Sequence, residues 1–297
     1  MPTWNQISKE IQSLDEPDAA DKVRKKYLEI YESIAGRPAI AYYSGFLSKV
    51  EKDGRYHAQC MINDLDMNGF MAVSYGLDRD KGLDLFLHTP GGGIEAARGI
   101  VEYLYKMFGR NLRAIVPQLA MSAGTMIACA TKEILMGKHS CLGPTDPQIR
   151  GYAAMGILSE VDRAIDEIKK DPARQILWQQ IFSKYPPAFI SDCERSVEGA
   201  RVMVKDWLSE NMLLDCNGDA EKVVSELMNY IGTSEHSQHF LIDKCISIGL
   251  KVKALEADQN YQEAVLSVHH SFMASFEDTD ALKIIDNSRG GTWSVSS

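Results

Sequence analysis

Two short stretches hold the residues whose types and spacing could do chemistry. The segment 118-QLAMSAGTMIACA-130 sets Ser122 in a run of small and apolar residues, with Gly124 two positions later. The segment 89-TPGGG-93 follows the apolar run LDLFLH (83–88) and precedes the amphipathic IEAARGIVEYLYKMF (94–108). Glycines allow close backbone approach to a ligand, and amides at a helix start point outward without intrahelical partners. A hydroxyl at one strand-to-helix elbow and a free amide at another is the arrangement that acyl transfer needs. Each stretch also has a plainer reading. Ser122 suits a helix N-cap. TPGGG suits a phosphate cradle, although it is neither GxGxxG nor GxxxxGK[ST] and no lysine follows it.

The surrounding pattern supplies elements to carry both elbows. Residues 4–35 have helical spacing broken near Pro17, and Gly36-Arg37-Pro38 stops the helix. AIAYYSGFL (39–47) suits a first strand and 62–77 a short helix. LDLFLH and LRAIVP (112–117) are compact apolar runs of the kind that strands covered on both faces display. EILMG (133–137) reads as a further strand and CLGPTDPQI (141–149) as a loop. This strand–helix rhythm predicts a parallel sheet with right-handed crossovers. The stretches 157–170, 173–185 and 195–213 read as long helices, 220–231 as another, and 248–256 as a late strand. DNSRGGTWSVSS is expected to be a loosely ordered tail.

Bulk properties exclude several classes. The chain has 297 residues with 45% hydrophobic and 25% charged content, ordinary for a globular protein. A net charge of -9 argues against nucleic acid, which needs a concentrated basic face. The densest basic run, Lys22 to Lys26, is bracketed by Asp21 and Glu29 and reads as a solvated helix face. No stretch approaches the roughly 20 apolar residues of a membrane span. The polar, acidic N-terminus lacks the layout of a signal peptide, so a cytoplasmic location is the expectation. Six dispersed cysteines without a CxxC pair read as reduced thiols.

The motifs LDLFLHTPGGGIEAARGIVEYL and VPQLAMSAGTMIACATKEILMGKHSCLGPTDPQI, with GRPAIAYYSGFL upstream, resemble the serine dehydrogenase proteinase family. These are Clp-fold serine peptidases related to signal peptide peptidase A. The likeness covers about residues 36–150, with a weaker echo over 236–252. It implies an α/β Clp protease/crotonase-like fold, a parallel sheet with crossover helices plus N-terminal and C-terminal helical additions. It implies that Ser122 is the nucleophile, that the amides of Gly92 and Ala123 form the oxyanion hole, and that Gly91 shapes the turn. It further implies a homo-oligomeric ring acting on peptides or unfolded proteins, with any unfolding left to a separate regulator or unfoldase. No cofactor and no metal are expected.

The general base is left open. The histidine of Clp proteases would fall here on Asp146 and Pro147, so that triad does not carry over. Signal peptide peptidase relatives use a lysine on a later helix, where 191-SDCERSVEGAR-201 offers Arg195 and Ser196 but no lysine. Arginine does not deprotonate. Lys184 and His139 are the remaining candidates, and Asp146 is expected to orient something near the site. His236 and His239, with Glu235 nearby, and the pair His269-His270 are weak as metal ligands without HExxH spacing. Two rivals to the peptidase stay open: a crotonase-like enzyme acting on an acyl thioester, and a catalytically silent scaffold. The expected organisation is a helical segment over 1–36, a Clp/crotonase-like domain over 37–256 and a tail over 257–297.

Overall fold

A computed structural model describes residues 1–51, 54–214, 219–229 and 239–297. Helices α1 (Trp4–Leu14) and α2 (Ala19–Ala35), separated near Pro17, lead into β1 (Ala39–Ser44). Then come α3 (Asp66–Val73), β2 (Leu83–His88), α4 (Ile94–Phe108), β3 (Leu112–Val116), β4 (Leu119–Ala120), α5 (Ala123–Cys129) and β5 (Glu133–Met136). The short β6 (Cys141–Leu142) and the hairpin of β7 (Gln148–Ile149) and β8 (Tyr152–Ala153) precede an arm of α6 (Ala154–Lys170), α7 (Arg174–Phe182) and α8 (Phe189–Trp207). The chain ends in α9 (Ala220–Met228), α10 (Ile242–Ile248), β9 (Val252–Ala254), α11 (Gln259–Asp278), β10 (Ala281–Asn287) and β11 (Thr292–Ser296).

Among the described residues the main sheet has seven strands in the order β11-β10-β1-β2-β3-β5-β9. The five from β1 to β9 run parallel, and β10 and β11 are antiparallel additions beyond β1. Successive strand residues face opposite layers. Leu83, Leu85 and Leu87 join the core under α4, α5 and α8, whereas Phe86, Ala41 and Tyr43 join the core under α2 and α11. Burial on both faces explains why these strands read as unbroken apolar runs. No helix of the described residues is long and apolar enough to cross a membrane.

The loose order expected of DNSRGGTWSVSS (286–297), and the reading of 257–297 as a mere tail, are corrected by this architecture. Residues 259–278 form a helix packed on the sheet, and every residue of β10 is buried. The hairpin to β11 closes with Asn287 N–H donating to Gly291 C=O (2.9 Å), while Asn287 Oδ1 accepts from the Arg289 and Gly291 amides. A glycine-bearing turn between two β-branched runs is a hairpin signal. The polar residues of DNSRGG masked it.

Strand β10 also carries a buried charge. Lys283 is fully buried; its Nζ donates to Asp66 Oδ1 (2.6 Å) and to Met61 C=O (2.7 Å). Asp66, equally buried, accepts from the Tyr42 hydroxyl (2.8 Å) and the Asn63 amide (3.1 Å). Removing one partner leaves the other charge stranded without water. Asp66→Ala is therefore expected to lower unfolding free energy by about 3–5 kcal/mol in urea titrations. The double replacement Asp66→Leu/Lys283→Met is expected to recover most of that loss.

Candidate active site

Strands β2 and β3 are parallel neighbours, with Leu85 opposite Ala114 and Phe86 opposite Ile115, so the chain leaves both at the same edge of the sheet. Ligand sites of α/β folds form at that edge. The two elbows continue the pairing past the strand ends. Thr89 N–H donates to Leu119 C=O (2.9 Å) and Met121 N–H donates to Thr89 C=O (3.0 Å). Gly91 then passes so close to Ser122 that a β-carbon on it would stand 2.7 Å from Ser122 Cβ and 2.7 Å from Met121 O. Its φ of 98° excludes other residues on conformational grounds as well.

Gly92 is hemmed in on its other side. A β-carbon there would lie 2.3 Å from Ile62 O and 2.4 Å from Ile62 N. Ile62 N–H donates to Gly91 C=O and Gly93 N–H donates to Ile62 C=O, both at 2.8 Å. Those two bonds take the flanking groups, and the alternation of the extended backbone turns Gly92 N–H away from Ile62. Among the described residues neither Gly92 N–H nor Ala123 N–H donates to another group of the chain.

Ser122 separates the chemical reading from the capping one. An N-cap serine has extended backbone, and its hydroxyl accepts from an amide of the first turn. Ser122 has φ 50° and ψ -116°, and its side chain makes no capping bond. These angles belong to the first central residue of a type II′ turn, a position dominated by glycine. Gly124 N–H closes that turn on Met121 C=O at 2.8 Å. A non-glycine residue held there costs about 1–3 kcal/mol, and such strain concentrates at functional sites. The half-buried hydroxyl thus stands at a strained elbow beside two amides with free hydrogens.

Behind the glycine elbow runs a polar network that the sequence did not reveal. Gly91 N–H donates to Thr89 Oγ1 (3.1 Å), and the Thr89 hydroxyl adjoins that of Tyr42. Tyr42 donates to Asp66, which binds Lys283. Burial pushes the Tyr42 phenol far above its ordinary range, so it stays a donor. Lys283 is a buried lysine whose pKa is lowered by desolvation, but Asp66 holds its proton in an ion pair. It anchors the elbow.

The remaining site residues are placed as follows. Asp146 is 2% exposed, and one of its carboxylate oxygens accepts from Met155 N–H (3.1 Å). Burial pushes its pKa up to about 6. His139 is exposed just beyond β5, beside Gly137 and facing Glu256, on the layer that carries His269 and His270. Lys184 is exposed in the turn between α7 and α8. No hydrogen bond or ion pair joins His139 or Lys184 to Ser122 among the described residues. Glu235 and His236 lie outside the described residues, as does Cys216; the other five cysteines are buried free thiols.

His88 was passed over in the sequence although it ends β2, one residue before the elbow. Its ring points to the opposite layer, packing with Tyr43, Phe46 and His269 at centroid distances of 5.5, 5.0 and 5.4 Å. Burial pushes its pKa down to about 3, so it stays a neutral core residue.

Similarity to known proteins agrees with this geometry. Two proteins of Methanocaldococcus jannaschii, both titled uncharacterised, match short regions of the chain. MJ0137 is 45% identical over 85 residues, 29% of each chain, and MJ1495 is 39% identical over 92 residues, 31% of each. The matched chain thus spans less than a third of either relative. A far longer match comes from the family described as ClpP-like SDH-type serine proteinase, whose pattern covers residues 70–264. That is about two thirds of the sequence and includes both elbows, so the chain belongs to the ClpP-like SDH-type serine proteinase family.

Proposed function

We propose that the protein is a serine peptidase that cleaves peptides or unfolded chains through an acyl-enzyme on Ser122. The observation that carries this reading is the strained, uncapped Ser122 beside two amides with no acceptor. In the proposed reaction Ser122 Oγ attacks the scissile carbonyl carbon, and the carbonyl electron pair moves onto oxygen. The Gly92 and Ala123 amides hold that oxyanion, each such donor being worth about 3 kcal/mol in the transition state. Collapse expels the amine, which carries away the proton given up by the Ser122 hydroxyl; water then attacks the ester, its hydroxyl stays on the new carboxyl group and its proton returns to the Ser122 oxygen. Gly91 is a glycine in this reading because the two elbows must touch through backbone, and Gly92 because Ile62 lies against it on the other side.

Assembly is part of the proposal. Helix α7 buries Trp178 but leaves Ile176 69% and Leu177 46% exposed, apolar surface that a second copy of the chain would cover. Ile176→Glu/Leu177→Glu is expected to shift the mass measured by light scattering toward the single chain. An unchanged mass would remove α7 from the interface.

Labelling by a fluorophosphonate, read by intact mass, tests the nucleophile. The wild type is expected to gain one adduct and Ser122→Ala none. Ser122→Gly is expected to lose labelling as well, yet to gain about 1 kcal/mol of stability by relieving the positive φ. A Ser122→Ala protein that loses stability while the wild type never labels would instead support a structural serine.

A further inference from the structure

Ser122 holds a positive φ, and a strained residue keeps its conformation only where its surroundings over-determine it. The bonds that do so here are nested about the nucleophile. The inner one is main chain, Gly124 N–H to Met121 C=O (2.8 Å). The outer one comes from a side chain: the Thr125 hydroxyl, in the first turn of α5, donates to Ala120 C=O (2.7 Å). A helical threonine usually turns its hydroxyl to the carbonyl three or four residues back. For Thr125 those carbonyls belong to Ser122 and Met121, which already accept from Met126 N–H and Gly124 N–H. Its hydroxyl reaches one residue further and closes the chain around Ser122.

The same oxygen meets a second segment. β4 and β6 pair in parallel, Leu119 opposite Cys141 and Ala120 opposite Leu142. Cys141 N–H donates to Gln118 C=O (2.7 Å), and in an evenly spaced parallel ladder the next such rung would join Gly143 N–H to Ala120 C=O. Gly143 N–H instead donates to Thr125 Oγ1 (2.9 Å), which also lies 3.0 Å from the Gly143 carbonyl oxygen. The hydroxyl is spliced into the ladder at the serine elbow, accepting from one strand and donating to the other. The outer side of the 141–145 segment is fixed separately. Leu142 exchanges both main-chain bonds with Phe240 (3.1 and 2.8 Å), and Thr145 N–H donates to Leu227 C=O of α9 (3.0 Å). Thr125 and Ala120 are fully buried and Gly143 is buried, so the hydroxyl answers main-chain groups that bulk water does not reach.

We propose that Thr125 is a positioning residue for Ser122, an inference that rests on the peptidase reading. It touches no reacting atom. By standing in the rung it sets the distance between the serine elbow and the braced 141–145 segment. That distance fixes where the Ser122 hydroxyl and the Ala123 amide stand relative to the Gly92 amide. A displacement of about 1 Å in such a constellation can cost about 100-fold in rate. Valine matches threonine in shape but neither donates nor accepts. Thr125→Val therefore strands Ala120 C=O and Gly143 N–H and frees the elbow to shift. Serine keeps the hydroxyl and both bonds.

Fluorophosphonate labelling rates measured against probe concentration test this, because they separate binding of the probe from the bond-forming step. Thr125→Val is expected to label about 10- to 100-fold more slowly at saturating probe, with the half-saturating concentration unchanged. Thr125→Ser is expected to stay within about twofold of wild type. Thr125→Cys, whose thiol donates and accepts only weakly, is expected to fall between the two, and it carries the test if Thr125→Val does not fold. Thr131 supplies the control: it is buried just beyond the other end of α5, and its hydroxyl donates to Ala128 C=O (2.8 Å). Thr131→Val is expected to lower the melting temperature and to leave the labelling rate of the folded protein unchanged. Thr125→Val or Thr125→Cys labelled at the wild-type rate, or Thr131→Val slowed as much as they are, would overturn the inference while leaving the peptidase intact. A wild type that never labels would overturn both.

Discussion

The site depends on backbone meeting backbone. Two elbows from adjacent parallel strands approach until Gly91 has no room for a β-carbon against Met121 and Ser122, and Gly92 none against Ile62. Main-chain bonds hold this contact: Thr89 to Leu119 and Met121 on one side, Ile62 to Gly91 and Gly93 on the other. Those bonds consume the amides that would otherwise compete. What remains, the N–H of Gly92 and of Ala123, is free because the neighbouring groups are occupied. A hydroxyl forced to positive φ then stands beside preorganised donors, and strain in one residue is held by the packing of many.

The fold treats its buried carboxylates in opposite ways. Asp84 is clamped by Arg37, Arg113 and Tyr31, and Asp66 by Lys283, Tyr42 and the Asn63 amide. Each has more than one partner for its charge. Among the described residues Asp146 has a single amide. The first two tie distant parts of the sheet together, and Asp66 also fastens the glycine elbow from behind. The third is left in a setting that favours its neutral form.

Both elbows, the parallel strands that carry them and the helices that follow were legible because each rests on local patterning. TPGGG and AMSAG are contiguous, and strands buried on both faces advertise themselves as apolar runs. The C-terminal hairpin was not legible, since β10 mixes Lys283, Asp286 and Asn287 into an otherwise apolar strand. Lys283 is intelligible only once Asp66, 217 residues away, is seen against it. For the base the sequence offers Lys184 and His139, with Asp146 as an orienting residue, and the idle oxygen that marks Asp146 is a property of packing that no spacing encodes.

The position of β10 has a consequence for how the protein is made. β1 pairs on one side with β2 and on the other with β10, so one flank stays open until residues 281–287 have been synthesised. During that interval Asp66 has no cation, Tyr42 no fixed acceptor, and an apolar strand edge faces whatever is nearby. Such an edge invites pairing with other nascent chains. The elbows cannot be braced from behind before then either. The brace behind the glycine elbow, formed when Lys283 meets Asp66, therefore waits on a strand made more than two hundred residues after the carboxylate it pairs with.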